Sequence, residues 1–281
     1  MTRGGKREDM RISVLTDNIE YKNFMAEWGL SILIEYEDKK ILLDTGETGL
    51  FAENAEKMGI DLSEVDLSVL SHAHSDHANG FDVFFGLNQK APLYVRAATA
   101  ENCYKPAEES GEMEYIGIRK GYLETYRDRI RCAEGDVQLM PGVWLLPHDT
   151  PGLEKMGRRA GLYIRKGNTY IPDSFQHEQS LVFDTPKGLV IFNSCSHAGA
   201  DNIVREVSAR FPGKKLYAMI GGFHLFILSD DEVRAFAERL RETGVEHVIT
   251  GHCTGDEAMP VLKDVLGERV VQMHSGMICE L

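Results

Sequence analysis

Residues 72–77 read His-Ala-His-Ser-Asp-His, so three of the chain's ten histidines and one carboxylate fall within six consecutive positions. Imidazole nitrogens and carboxylate oxygens bind divalent cations, and a nitrogen-rich set with one carboxylate suits Zn²⁺, with Fe and Mn²⁺ also admissible. The preceding run 65–71, VDLSVLS, has the character of a short buried strand. His72 and His74, two apart at its end, therefore turn their side chains to the same side. Asp76 and His77 follow where the chain must leave the strand, and Ser75 or Asp76 can cap a helix that begins there. That pair faces a neighbouring point, so one short loop can serve two divalent metal ions.

Further ligands must come from the second half of the chain. His197 in NSCSHAG and His252 in ITGHCTG both follow apolar β-type runs, where strand ends would deliver them to the loop. His224 in GGFHL follows another such run, and Gly221 and Gly222 before it let the backbone approach a ligand closely. It is read as a substrate contact or a residue outside the ligand set, with a core histidine as the alternative. His177 stands before EQSLVF and is either a substrate-rim residue or a ligand. Arg158, Arg159 and Lys166 could offer cationic contacts to an anionic substrate, or simply form a solvated charged loop. Cys195 is a soft donor or an inert buried thiol. His148, His247 and His274 have no comparable context and read as structural or surface residues.

The elements that must position these residues alternate. RISVLTDN at 11–18 reads as a strand, and LSILIEYEDKKILLDTG as a hairpin turning at 37–40. A helical spacing follows over 50–60, then the strand that feeds the histidine loop. Residues 97–178 are less regular and predict a lid or rim insertion. Regularity returns with SLVFDTPKGLVIF, two β-type runs joined by the turn residues 185–188. Helix and strand then alternate to the end, with Ser229 able to cap one helix and Gly244 to end it. The pattern is α/β, with helix layers covering sheet, in a single domain over 11–281 behind a polar leader at 1–10.

With 43% hydrophobic and 27% charged residues, the chain of 281 can bury a sizeable core. A net charge of -13 and no long Lys/Arg run exclude the electrostatic footprint of a nucleic-acid binder. No apolar run reaches the length of a membrane span, and MTRGGKREDM lacks the core of a signal peptide. Five scattered cysteines suggest reduced thiols. Together these predict a cytoplasmic protein with a small anionic substrate, no nucleic-acid or membrane partner, and an oligomeric state on which the sequence is silent.

The loop His72, His74, Asp76, His77 and Gly80, with ILLDTG ahead of it, resembles the His-x-His-x-Asp-His-x-x-Gly signature of the metallo-β-lactamase superfamily. The resemblance implies an αββα sandwich of two facing mixed sheets, with metals at one edge. It implies that Asp44 supports the metal loop without binding metal itself, and that His252 is the superfamily's last histidine. The usual plan also has a histidine before the hairpin and a bridging aspartate after it. This chain has Ser194-Cys195-Ser196-His197 at the latter place, so His197 substitutes for one of those ligands or one metal site is weak; His177 lies near the former. Segments from GLSILIE to GHCTG are similar to the branch of 7,8-dihydropterin-6-methyl-4-(β-D-ribofuranosyl)aminobenzene 5′-phosphate synthases.

Three functions follow as expectations. The first is a dinuclear metal-dependent hydrolase, using a metal-bound hydroxide on a phosphoester, phosphoanhydride or cyclic ester, with Asp76 orienting the nucleophile or taking a proton. The second, implied by the branch, is a transferase condensing a dihydropterin pyrophosphate with a ribofuranosylaminobenzene phosphate. The third is a metal-binding protein without hydrolytic activity.

Overall fold

A computed structural model describes residues 10–281. The expected leader over 1–10 lies outside these residues except at Met10, which is buried and exchanges backbone hydrogen bonds with Leu281. Met10 thus belongs to the first sheet's edge.

Two seven-stranded sheets face each other. The first runs, edge to edge, Ile278–Glu280, Arg11–Thr16, Ser31–Tyr36, Lys39–Leu43, Leu67–Val69, Leu93–Arg96 and Ile130–Ala133. The second runs Val270–Gln272, His247–Thr250, Leu216–Gly221, Gly188–Phe192, Gln179–Thr185, Val143–Pro147 and Val137–Met140. In each, strands separated by helical crossovers are parallel, while hairpin-connected strands are antiparallel.

Alternation of side chains builds the layers. In Gly188–Phe192, Val190 and Phe192 point between the sheets with Ile32, Ile34, Leu43 and Ile220, whereas Leu189 and Ile191 point outward. The outer face of the second sheet is covered by helices Ala200–Arg210, Asp230–Glu242 and Ala258–Leu266. Leu33, Leu42 and Leu93 on the first sheet's outer face meet Phe51 of helix Leu50–Lys57 and Phe81, Phe84 and Phe85 of helix Phe81–Leu87. The molecule is an αββα sandwich, and each fully buried Leu, Ile or Phe contributes about 1.5–3 kcal/mol by leaving water. Ser229 caps its helix through a capping box with Glu232, and Gly244 follows the helix end at φ 79°.

The stretch 97–178 departs from the expected irregular rim. Ile130–Ala133, Val137–Met140 and Val143–Pro147 are strands of the two main sheets, and Thr169–Pro172, Tyr163–Lys166, Tyr104–Pro106 and Met113–Tyr115 form a third, four-stranded sheet. Strands of three and four residues carry too few side chains for alternation to show. Among the described residues no helix is long and apolar enough to cross a membrane.

Candidate metal centre

Six strand ends open on one edge of the sandwich. Leu67–Val69 leads to His72 and His74, Gly188–Phe192 to Cys195 and His197, Leu216–Gly221 to His224, and His247–Thr250 to His252. Arg11–Thr16 ends at Asp17 and Asn18, and Lys39–Leu43 at Asp44. The backbone is forced here: Asp44, Ser196, His224 and His252 all have φ between 49° and 58°. Such conformations cost free energy and persist only where surrounding contacts impose them.

The histidine loop is held from two sides. Fully buried Asp44 accepts hydrogen bonds from the Ser71 backbone at 2.7 Å, from Ser71 Oγ at 2.6 Å and from His77 Nδ1 at 2.8 Å. Ser71 Oγ in turn lies 2.8 Å from His72 Nδ1. With Nδ1 of each ring committed to this network, Nε2 is the atom that His72 and His77 each have left to offer a cation. On the other side the segment after Met113–Tyr115 pairs with the loop, Ile118 N donating to Ala73 O and Ser75 N to Ile116 O. His74 itself takes the cap position of the short helix Ser75–Ala78, with no side-chain cap bond. Ser75 and Asp76 are already helical, so neither caps as expected.

The remote histidines are clamped by carboxylates the sequence reading did not single out. Glu178 accepts the backbone N–H groups of His197 and Ala198 at 2.9 and 3.1 Å, and the Phe175 ring stacks on the His197 ring at 4.4 Å. Asp17 accepts the His252 N–H at 2.8 Å, and Asn18 Oδ1 lies 2.9 Å from His252 Nδ1. Gly251 permits this approach, since a Cβ there would stand 2.7 Å from Asp17 Oδ2. Burial pushes Asp17 up to about 7 and also raises Glu178. The available signals were an Asp-Asn pair closing a strand and a Glu beside a candidate histidine.

These supports bring the six expected ligands into two triads. His77 Nε2, His252 Nε2 and Asp76 Oδ2 are separated by 3.2, 3.5 and 3.5 Å. Two nitrogens about 2.0–2.1 Å from one tetrahedral ion stand about 3.3–3.4 Å apart, so these spacings fit a single cation. Donor atoms of His72, His74 and His197 lie within 4.8 Å of one another. The Nε2 atom of each of these three is buried without a hydrogen-bond partner. A buried nitrogen left unpaired costs about 1–3 kcal/mol, which a bound cation would offset. Burial first, then neighbouring imidazoles, hold His72, His74 and His197 well below their ordinary range. Burial and His77 bring His252 down to about 3 despite the opposing Asp76. Neutral imidazoles are the form that binds metal. For His77, burial opposes the charged form, but Asp76 and Asp44 outweigh it and raise the group to about 9.

The other candidates divide. His224 is half-buried, 4.6 Å ring to ring from His197, and lines the cavity over the triads. His177, expected at the rim or as a ligand, is buried inside: its Nδ1 accepts the Ala73 N–H at 3.2 Å and its Nε2 lies 3.0 Å from Asp173. With both nitrogens engaged it braces the loop and does not stand at the rim, a correction that burial and pairing explain. Arg159 pairs with Glu232 and lines an adjoining cavity, while Arg158 on the same helix is exposed. His148 is buried between Glu206 and Ser180, a structural histidine.

The cavity over the triads measures about 520 Å³ and is lined by Trp28, Lys105, Glu108, His224 and Phe226 together with His74, Asp76, His197 and His252. A family model of the metallo-beta-lactamase superfamily matches residues 29–154. The chain is 30% identical to the 7,8-dihydropterin-6-methyl-4-(beta-D-ribofuranosyl)-aminobenzene-5'-phosphate synthase of Methanocaldococcus jannaschii, with 98% of this chain and 97% of that protein covered. An uncharacterized protein of the same organism, MJ0448, is 27% identical over 95% of this chain and 98% of its own. The solved structure of Tm1679, a metal-dependent hydrolase of the beta-lactamase superfamily, matches at a TM-score of 0.81 and 29% identity, covering 97% of this chain and 99% of that one. Likeness of sequence and of fold thus runs through almost the whole of both chains, and the chain belongs to the metallo-β-lactamase superfamily.

Proposed function

We propose that the protein is a metal-dependent hydrolase of small anionic substrates, phosphoesters, phosphoanhydrides or cyclic esters, holding two divalent cations. The observation that carries this reading is the pair of donor triads beneath one open cavity, two residues of each triad lining it. His72, His74 and His197 would hold one ion, and Asp76, His77 and His252 the other, with Zn²⁺ the best match to the donors and Mn²⁺ or Fe admissible. Bound there, divalent ions lower the pKa of water and polarise a phosphoryl or acyl oxygen. Asp76 is the only carboxylate of the six ligand residues, and its side chain keeps 17% exposure toward the cavity. It is assigned to orient the attacking water and accept its proton. His224, whose Nδ1 is buried and unpaired, is assigned to hydrogen-bond the substrate's anionic oxygens. Lys105, which also lines the cavity and pairs with Glu114 at 3.1 Å, adds a cation.

A second reading, the pterin-linked transferase, is favoured by the cavity mouth. Trp28 and Phe226 are 53% and 49% exposed, their rings 5.5 Å apart and nearly perpendicular. Such surfaces suit a planar heterocycle, and the synthase relative supports it. Metal-loaded protein should be given phosphoester, phosphoanhydride and cyclic-ester substrates, and separately a dihydropterin pyrophosphate with and without a ribofuranosylaminobenzene phosphate. Hydrolysis of a small ester or anhydride without the aryl amine supports the first reading. Turnover only when both are present, with a coupled product and released pyrophosphate, overturns it in favour of the second.

A further inference from the structure

The two triads meet at a sulfur atom. Cys195 is 3% exposed and its Sγ lies 3.3 Å from His77 Nε2. That sulfur falls within 4.8 Å of donor atoms of His72 and His77, of His197 and His224, and of His252. A thiolate about 2.3 Å and an imidazole nitrogen about 2.0–2.1 Å from one tetrahedral ion stand about 3.5 Å apart, close to the spacing seen. Asp76, His77 and His252 present three corners of a tetrahedron, and the sulfur is placed to be a fourth.

The turn that carries Cys195 is built to hold it there. Gly222 N donates to Ser194 O at 2.8 Å, Asn193 Oδ1 accepts the Ser196 N–H at 2.6 Å, and Glu178 clamps the next two residues. The neighbouring thiol of Cys253 also lies within 4.8 Å of donor atoms of Cys195 and His252, but it accepts the His224 N–H at 3.2 Å and faces the Cys195 carbonyl at 3.7 Å. Of the histidines within that reach, His72 and His197 have an Nε2 atom buried without a hydrogen-bond partner.

We propose that Cys195 is a metal ligand, its thiolate sitting at the junction of the two triads and completing the Asp76–His77–His252 set. On binding, the thiol proton leaves to solvent and a sulfur lone pair forms the bond to the cation; nothing is oxidised or reduced. A sulfur donor shifts the preference of the centre toward borderline-soft ions such as Zn²⁺ and Co²⁺ and away from Mg²⁺ and Mn²⁺. The proposal rests on the two-triad reading above.

The probe is Co²⁺, followed by absorption and by elemental analysis. The metal-free full chain titrated with Co²⁺ should develop a sulfur-to-cobalt charge-transfer band in the near ultraviolet. Cys253→Ser should keep the band, and Cys195→Ala should lose it and bind Co²⁺ at least about 10-fold more weakly, since even indirect supports cost that much. Cys195→Asp, which replaces the thiolate with a carboxylate, should recover binding without the band. Stoichiometric Co²⁺ binding by the unaltered protein with no such band overturns the proposal and leaves the triads standing, and this outcome does not depend on any variant folding. A band that survives in Cys195→Ala does the same. Failure to bind Co²⁺ at all would overturn both the ligand assignment and the metal centre beneath it.

Discussion

A carboxylate that faces no cavity orients half of the histidine loop. Asp44 accepts one hydrogen bond from His77 and two from Ser71, which is itself in contact with His72. Asp44→Asn replaces one acceptor oxygen with a donor, so one of these bonds must break. Metal affinity should fall by about 10–100-fold, measured by competition with a chelator; an unaltered dissociation constant would sink this supporting role. His77 makes a pH prediction. At neutral pH in the metal-free protein it carries a proton, because its pKa is raised to about 9. A cation must displace that proton, so His77 should make affinity rise with pH from neutrality, by up to about tenfold per unit, and level off above pH 9. Affinity that does not change across that window would refute the assignment. Residues 72–77 were legible because they are contiguous. Asp17, Asn18 and Glu178 were not, since each acts on a histidine far along the chain, or on its backbone, and a strand end or a neighbouring histidine does not say which partner it meets.

At the scale of elements, strand ends decide which side chains meet. Gly222 follows Leu216–Gly221 where two other strand ends crowd it: a Cβ would stand 2.6 Å from both Cys253 Sγ and Ser194 O. Gly222→Ala must push these ends apart, lowering stability by about 1–3 kcal/mol and weakening metal binding in the same variant. Denaturant unfolding and metal titration measure the two, and a variant with neither change would contradict the close approach. The hairpin turning at 37–40, the turn at 185–188 and the capped helix Asp230–Glu242 could be read locally because turn and cap chemistry is local. The small third sheet could not. Its strands pair across the long separation between Tyr104 and Tyr163 and are too short to show a period.

Across the whole molecule, the two triads come together only because two sheets face each other. One triad draws His72 and His74 from beyond the first sheet and His197 from beyond the second; the other joins Asp76 and His77 to His252 in the same way. Phe192 is fully buried between the sheets, against Phe183. Phe192→Ala should cost about 3–5 kcal/mol of stability, measured by denaturant unfolding; a change under about 1 kcal/mol would mean the layers are not joined there as described. The layered α/β class followed from alternating strand and helix patterns, and the facing of two sheets from the resemblance of the loop to a known superfamily. Periodicity alone shows which residues share a face, and does not say which sheet that face meets.

The most direct test of the account is the metal content of the purified chain after equilibration with Zn²⁺ and removal of the excess. Elemental analysis should find close to two ions per chain, falling when His197 or His252 is replaced by Ala. Were both variants to retain the full complement, the two strand-end histidines would not bind metal, and the centre described here would be wrong.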